Sequence, residues 1–381
     1  MHKPFIGSLA LTLLLAPAAM VQAQIKIGVT VSATGPAASL GIPEKNTVAM
    51  CPKNIAGKSV SYIVLDDAAD TTLAVQNTRK LIGENAVDAI IGSTTTPNAL
   101  AMIDVVAEGE TPVISLASSV RIIEPVDAKK AWVFKTPQTD VMMAGAILEH
   151  MAKNNIKTIG YIGFNDALGE AFFAEIDKAA SARKLPLAAN ERFSPKDTSV
   201  TGQALKLIAA KPDAIVIGAS GTPAALPART LIEHGYKGKL YFNHGVANPD
   251  FLRVGGKDVE GAFVPVSPAI VASQLPDGHP AKKRAQEYVK LYEAAQGAGS
   301  VTAFGSYTWD ACLENTIPQA LKTAQPGTKE FRRALRESLE NIKGLEVTNG
   351  VVNMSTTDHL GLDSRARVMV QIKHGQWVLQ N

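Results

Sequence analysis

Val60-Ser-Tyr-Ile-Val-Leu65, followed by Thr71-Thr-Leu-Ala-Val-Gln-Asn-Thr-Arg-Lys-Leu-Ile-Gly83 and then Val87-Asp-Ala-Ile-Ile91, decides the fold. The outer two runs are short, rich in β-branched residues and bounded by Gly, Ser or Asp, which reads as buried strands. The middle run has Leu73, Asn77, Lys80 and Leu81 at helical spacing, with Thr71 or Thr72 as its N-cap. Working outward, Ile25–Val31 and Pro112–Leu116 read as further strands, and Pro97–Glu108 as a helix.

The same alternation then resumes. Thr158–Ile162, Leu187–Phe193, Ala214–Ile217 and Leu240–Phe242 read as strands; Val141–Lys153, Leu168–Arg183, Val200–Ala210 and Ala224–His234 read as helices between them. Strand–helix alternation at this period means βαβ units and parallel sheets. Two such blocks predict an α/β protein with two doubly wound, Rossmann-like lobes. The tail breaks the pattern. Pro280–Gln296, Thr302–Thr323 and Thr328–Glu340 read as three successive helices, then Arg367–Ile372 and Gln376–Leu379 as strands around a Lys-His-Gly turn. The chain is therefore expected to return to the first lobe before finishing on the second.

The chain is 381 residues long, 46% apolar and 19% charged, which fits a globular protein. With 38 Lys+Arg against 35 Asp+Glu it lacks the basic excess of a nucleic-acid binder. The first 23 residues stand apart. A short basic start, His2-Lys3, leads into the apolar run Phe5–Met20, and Val21-Gln-Ala23 supplies small residues for a signal peptidase. A cleaved export signal is expected at 1–23, with a soluble periplasmic protein beginning at Gln24.

No His-Glu-x-x-His, no phosphate-binding loop and no Gly-x-Gly-x-x-Gly after a strand occurs, and the histidines pair with no cysteine at metal spacing. Gly218-Ala-Ser-Gly-Thr222 misses the nucleophile-elbow spacing by one residue. No enzyme activity, cofactor or metal is expected. Three loops do read as a site: Gly92-Ser-Thr-Thr-Thr-Pro97, Ser115-Leu-Ala-Ser-Ser119 and Gly218-Ala-Ser-Gly-Thr222. Each leaves a strand at its carboxyl end, where open α/β sheets bind ligands. Small hydroxyl residues next to free backbone N–H groups suit a carboxylate, although the same residues also serve as ordinary helix caps.

Ile25-Lys-Ile-Gly-Val29 with Thr34-Gly-Pro-Ala-Ala-Ser-Leu-Gly41 resembles the opening of type I periplasmic binding proteins of ABC transporters, in the leucine/isoleucine/valine-binding branch. The similarity continues through Asp66-Asp-Ala-Ala-Asp70, Ile90-Ile-Gly-Ser93, Pro112–Ser119, Leu168-Gly-Glu170, Gly245-Val-Ala-Asn248, Trp309-Asp-Ala and the Val368–Val378 hairpin. The resemblance implies two lobes joined by three crossovers and closing on a small ligand like a flytrap, with a membrane permease as partner. It places the crossovers near Lys135–Gln138, Val264–Pro268 and Gly350–Met354. The lobes are then 24–136 plus 267–350 and 137–266 plus 351–381, and the protein acts as a monomer.

Carried over residue by residue, the resemblance keeps carboxylate recognition, at Ser93 and Thr94, then at Ala117, Ser118 and Ser119. It loses the amine site. The acidic residue that holds an α-ammonium in the amino-acid binders is His244 here, and two of their tyrosines correspond to Leu168 and Ser220, the latter beside Gly221. A buried ammonium without a counter-charge costs several kcal/mol, on the order of what a lost ion pair costs. A histidine donates better to carboxylate, keto or hydroxyl oxygens. The expected ligand is an amine-free carboxylate, with aromatic or aryl 2-oxo acids leading; an aliphatic amino acid with a merely structural His244 is the alternative. A ligand sensor for a membrane receptor, and an amidase regulator or enzyme on this scaffold, stay open as functions.

Phe164 is a candidate to stack on an aromatic ligand, more so than Phe304. Asp66 and Asp67 are expected to hold their loop or cap the next helix, and Arg121 to be solvated. The cysteines fit no disulfide of the branch. Cys51 closes an early helix, Cys312 lies in a late one, and both are expected as separate buried thiols.

Overall fold

The structure, a computed structural model, describes residues 24–380; the expected export signal lies outside them. The first half of the chain runs β1 (Ile25–Val31), α1 (Ala38–Met50), β2 (Asn54–Ile55), β3 (Lys58–Asp66), α2 (Thr71–Gly83), β4 (Ala89–Gly92), α3 (Thr96–Glu108), β5 (Val113–Ser115) and β6 (Val133–Lys135). Then come α4 (Asp140–Lys153), β7 (Ile159–Phe164), α5 (Ala167–Ala182), β8 (Leu187–Phe193), α6 (Thr201–Ala209), β9 (Ala214–Gly218), α7 (Ala225–Glu233), β10 (Lys239–Phe242), α8 (Pro249–Gly255) and β11 (Phe263–Val266). The tail adds α9 (Lys282–Gln296), α10 (Ala303–Asp310), α11 (Ile317–Ala320), α12 (Lys329–Glu340), β12 (Leu345–Val347), β13 (Gly350–Val352), β14 (Val368–Lys373) and β15 (Gln376–Leu379).

Two large sheets result, ordered β2-β3-β1-β4-β5-β6 and β15-β14-β11-β10-β9-β7-β8, and β12 pairs with β13 in a separate small one. Each is parallel except at one edge: β2 runs against β3, and the β14–β15 hairpin runs against β11. Strands β1, β4, β7, β9 and β11 are almost wholly buried, as strands covered by helices on both faces must be. Each lobe is the doubly wound unit that the alternation of patterns implied.

Local chemistry explains the boundaries. Asp70, not Thr71 or Thr72, caps α2, accepting from Thr72 N at 2.8 Å and Leu73 N at 3.0 Å. Asp166 caps α5 in the same way. Helix α1 rests directly on the end of β1. A Cβ on Gly41 would sit 2.1 Å from Ser32 O, so only glycine permits this approach. The expected single helix over Thr302–Thr323 is in fact two pieces, α10 and α11. Leu313 takes a left-handed φ of 61° between them, and Pro318 starts the second piece.

The tail returns to the first lobe. Helix α10 lies along α1, Tyr288 of α9 meets Thr47 of α1 at 3.0 Å, and Arg332 and Arg333 of α12 bind Gly109 O and Glu110. Because α1 and α10 pack side by side, their C-terminal ends coincide, and Cys51 and Cys312 form a disulfide with Cα atoms 5.7 Å apart. The expectation of separate thiols is corrected. The two cysteines are 261 residues apart in sequence, so helix packing rather than any local spacing brings them together.

The chain passes between the sheets after Lys135, after Val266 and before Val368. Residues near all three passages share one buried knot. Gln138 Nε2 donates to Ala366 O at 2.6 Å and to Asn349 Oδ1 at 3.4 Å, and Ser267 Oγ donates to the same Asn349 oxygen. Asn349 Nδ2 in turn donates to Asp310 Oδ2 at 2.6 Å.

Candidate functional site

The carboxyl ends of the two sheets face each other across a closed cavity. From the first lobe come Leu40 of α1, Thr94, Thr95 and Thr96, Leu116 and Ser118, with Phe304 and Tyr307 of α10. From the second come Leu168 at the start of α5, Ser220 after β9, and His244 and Gly245 after β10. Pro137, on the first passage between lobes, completes the wall. The enclosed volume is about 20 Å³. That holds about one water molecule, against about 300 Å³ or more for a typical ligand pocket. Entry of an organic acid requires the lobes to separate.

Five of the ten expected site residues meet here: Thr94, Ser118, Leu168, Ser220 and His244. The other five do not line the cavity. Ser93 donates to Asp67 Oδ2 at 2.7 Å, and Asp67 also collects Thr30 Oγ1 and Ser32 Oγ, so this hydroxyl is spent inside the lobe. Asp66 and Asp67 hold their loops, as expected, with Asp66 taking Ala33 N and Thr34 Oγ1. Ala117 lies in the core with Ile90 and Met102. Ser119 Oγ accepts from Arg121 N at 3.3 Å. Phe164 packs on Phe193 with ring centres 5.0 Å apart, within the core. Phe304 is the phenylalanine on the cavity, the reverse of the expected order. Gly221 has a φ of 64°, and a Cβ there would meet Ser39 Oγ of the first lobe at 3.1 Å; it is a contact of closure rather than of ligand.

Sequence reading missed Tyr307, whose hydroxyl donates to Gln138 Oε1 at 2.8 Å. It also missed Glu44, whose Oε2 accepts from Thr94 Oγ1 while Thr94 Oγ1 accepts from Ser32 N at 2.8 Å. No local signal marks either residue, since both reach the site from helix interiors.

The electrostatics are one-sided. His244 is 2% exposed, and burial together with the Lys135 charge pulls its pKa down to about 3. It is the neutral imidazole, and its Nδ1 has no hydrogen-bond partner among the described residues. Burial pushes the Glu44 carboxyl, behind Thr94, well above the usual carboxylate range. Among the described residues, no Asp or Glu lines the cavity. Thr95 and Thr96 bring the N-terminus of α3 to it, and Thr96 Oγ1 has no partner among the described residues. A helix N-terminus with an open hydroxyl favours an anionic oxygen. The described residues hold no cluster of three or more His, Cys, Asp or Glu able to bind a metal, and no helix long and apolar enough to cross a membrane.

The sequence pattern of the periplasmic binding protein family matches residues 24–376. The Leu/Ile/Val-binding protein homolog 3 of Brucella melitensis is 22% identical over 96% of each chain. The crystal structure of an extracellular ligand-binding receptor from Rhodopseudomonas palustris HaA2 is 44% identical and superposes with a TM-score of 0.91, covering 94% of this chain and all of that one. A solute-binding protein of an ABC transporter from Rhodopseudomonas palustris BisB5, solved with 3,4-dihydroxy benzoic acid, is 19% identical with a TM-score of 0.78, covering 94% of this chain and 96% of its own. At that identity the likeness is one of fold.

Proposed function

The chain belongs to the periplasmic binding protein family, and on that premise we propose that it captures a small amine-free carboxylate, an aromatic or aryl 2-oxo acid, for an ABC importer. The observation that carries the reading is His244: a neutral imidazole on a wall that has no carboxylate. An α-ammonium closed into this cavity would lack a counter-charge, at a cost of about several kcal/mol. A carboxylate, by contrast, meets Ser118, Thr96 and the start of α3, while Leu40, Leu116, Leu168 and Phe304 supply the apolar surface a ring requires. The neighbour solved with 3,4-dihydroxy benzoic acid supports the reading only in that its fold encloses an acid without an amine.

Capture follows from the two-lobe geometry. The ligand touches both lobes and so favours the closed form over an open one. Permease subunits would then recognise the closed protein, which binds and releases its ligand without turnover.

The Brucella relative, a Leu/Ile/Val-binding homolog, favours the second reading, an aliphatic amino acid. Titration calorimetry of the protein from Gln24 onward separates the two. Tight binding of benzoylformate or 4-hydroxybenzoate with no response to leucine is expected. Tight leucine binding with no response to either aromatic acid ends the amine-free reading.

A further inference from the structure

Lys135 is a lysine with 0% exposure at the end of β6, paired in register with Ser115, where the Ser115–Ser119 loop begins. Its Nζ donates to two carbonyls, Ser118 O on the cavity loop and Gln138 O on the first passage between lobes. Among the described residues, no carboxylate touches it. Asp140 of α4 and Glu124 of the preceding loop act on it from longer range, and Asp140 Oδ1 is turned to Val120 N at 2.9 Å. On the other side stands His244, neutral and close enough to feel the lysine's charge. A buried cation held only by carbonyls is costly, and an anion nearby offsets that cost.

The Ser118 carbonyl belongs to the same peptide unit as the Ser119 N–H. In a trans peptide these point in opposite directions. Lysine grips one end, and the N–H at the other has no acceptor among the described residues. We propose that Lys135 is the buried counter-charge of the ligand's carboxylate, acting through the Ser118–Ser119 peptide and setting the preference for an anion over a neutral analogue. This rests on the reading that the ligand is a carboxylate, whether or not it carries an amine.

One consequence separates the charge role from a structural one. Burial pulls the Lys135 ammonium down to about 7, so the free protein holds it largely neutral at pH 8. An arriving carboxylate favours the charged form, and binding takes up a proton. At pH 5.5 the lysine is already charged, and little uptake remains. His244, Asp140 and Glu124 lie within reach of the Lys135 charge, and all three side chains are retained in a Lys135 substitution.

The test is calorimetry with benzoylformate, its neutral amide 2-oxo-2-phenylacetamide, and leucine, each in phosphate and in Tris at pH 5.5 and pH 8. For the wild type, uptake of a sizeable fraction of a proton is expected at pH 8 and close to none at pH 5.5. In Lys135→Met the uptake should vanish and affinity for the acid should fall about tenfold or more, while the amide changes far less. Absence of uptake in the wild type at pH 8, or a folded Lys135→Met protein that keeps it, overturns the proposal. So does an equal loss for acid and amide. If leucine binds in place of benzoylformate with Lys135-dependent uptake, the ligand class is wrong and the role of Lys135 stands. If neither acid binds, both fall.

Discussion

Tyr307, a wall of the cavity, donates its hydroxyl to Gln138 Oε1 at 2.8 Å, and Gln138 is one corner of the knot that ties the passages between lobes. The binding surface is thus one hydrogen bond from the pivot. Tyr307→Phe keeps the ring and leaves Gln138 Oε1 without that donor. A loss of about 1–3 kcal/mol in folding stability is expected, read from the denaturant midpoint, because a buried acceptor loses its partner. Affinity should change as well, because the cavity wall loses its link to the passages between lobes.

His244→Asp restores an acid where the amino-acid binders carry one. Benzoylformate affinity should fall at least about tenfold, since a carboxylate then faces a carboxylate. Leucine binding should appear or strengthen. If calorimetry shows both ligands unaffected, His244 is not the discriminating residue.

The Cys51–Cys312 bridge spans 261 residues of chain. Replacing both cysteines with alanine should lower stability by about 2–5 kcal/mol, chiefly by freeing the unfolded chain. Melting temperature should drop, while affinity in the folded protein stays within about twofold, because neither cysteine lines the cavity.

Asp310, half-buried in the knot, has its pKa pushed up to about 7 by desolvation, against the donors Thr348 and Asn349. The folded protein therefore keeps this proton where the unfolded chain has lost it. The contribution to stability is full below about pH 4, the pKa of an unfolded aspartate, and is lost as pH rises through about 7. Relative to Asp310→Asn, the wild type should lose stability steadily from pH 4 to pH 7, by up to about 4 kcal/mol. Glu44, Asp88 and Asp166 are shifted the same way but are present in both proteins, so the difference isolates Asp310. Parallel pH profiles would refute the assignment.

Strand–helix alternation made the two sheets legible, since buried parallel strands leave short apolar runs that β1, β4 and β9 display plainly. Helix α2 was legible to its last residue. Its cap was not, because Asp70, Thr71 and Thr72 are all good caps and only the turn geometry chooses among them. At the site, residues on loops after strands could be read, whereas Tyr307 could not and Phe304 was ranked behind Phe164. Both sit on a helix that follows the five parallel strands of the second sheet, and nothing within α10 says which lobe it joins. Ser93 and Ala117 show the converse limit: a motif fixes a loop, but which way its side chains turn depends on neighbours such as Asp67. The disulfide was invisible for the same reason, as it depends on how α1 meets α10.

The first sheet is laid down by the early part of the chain, yet α10 and α12, which join its core, are encoded only after the parallel strands of the second. During synthesis or passage through a membrane, the leading half therefore emerges with one flank of its sheet bare and Cys51 without its mate. It cannot seal itself prematurely. A chain threaded end-first gains time from this arrangement, at the risk of exposing that flank to other unfinished chains until its last third is delivered.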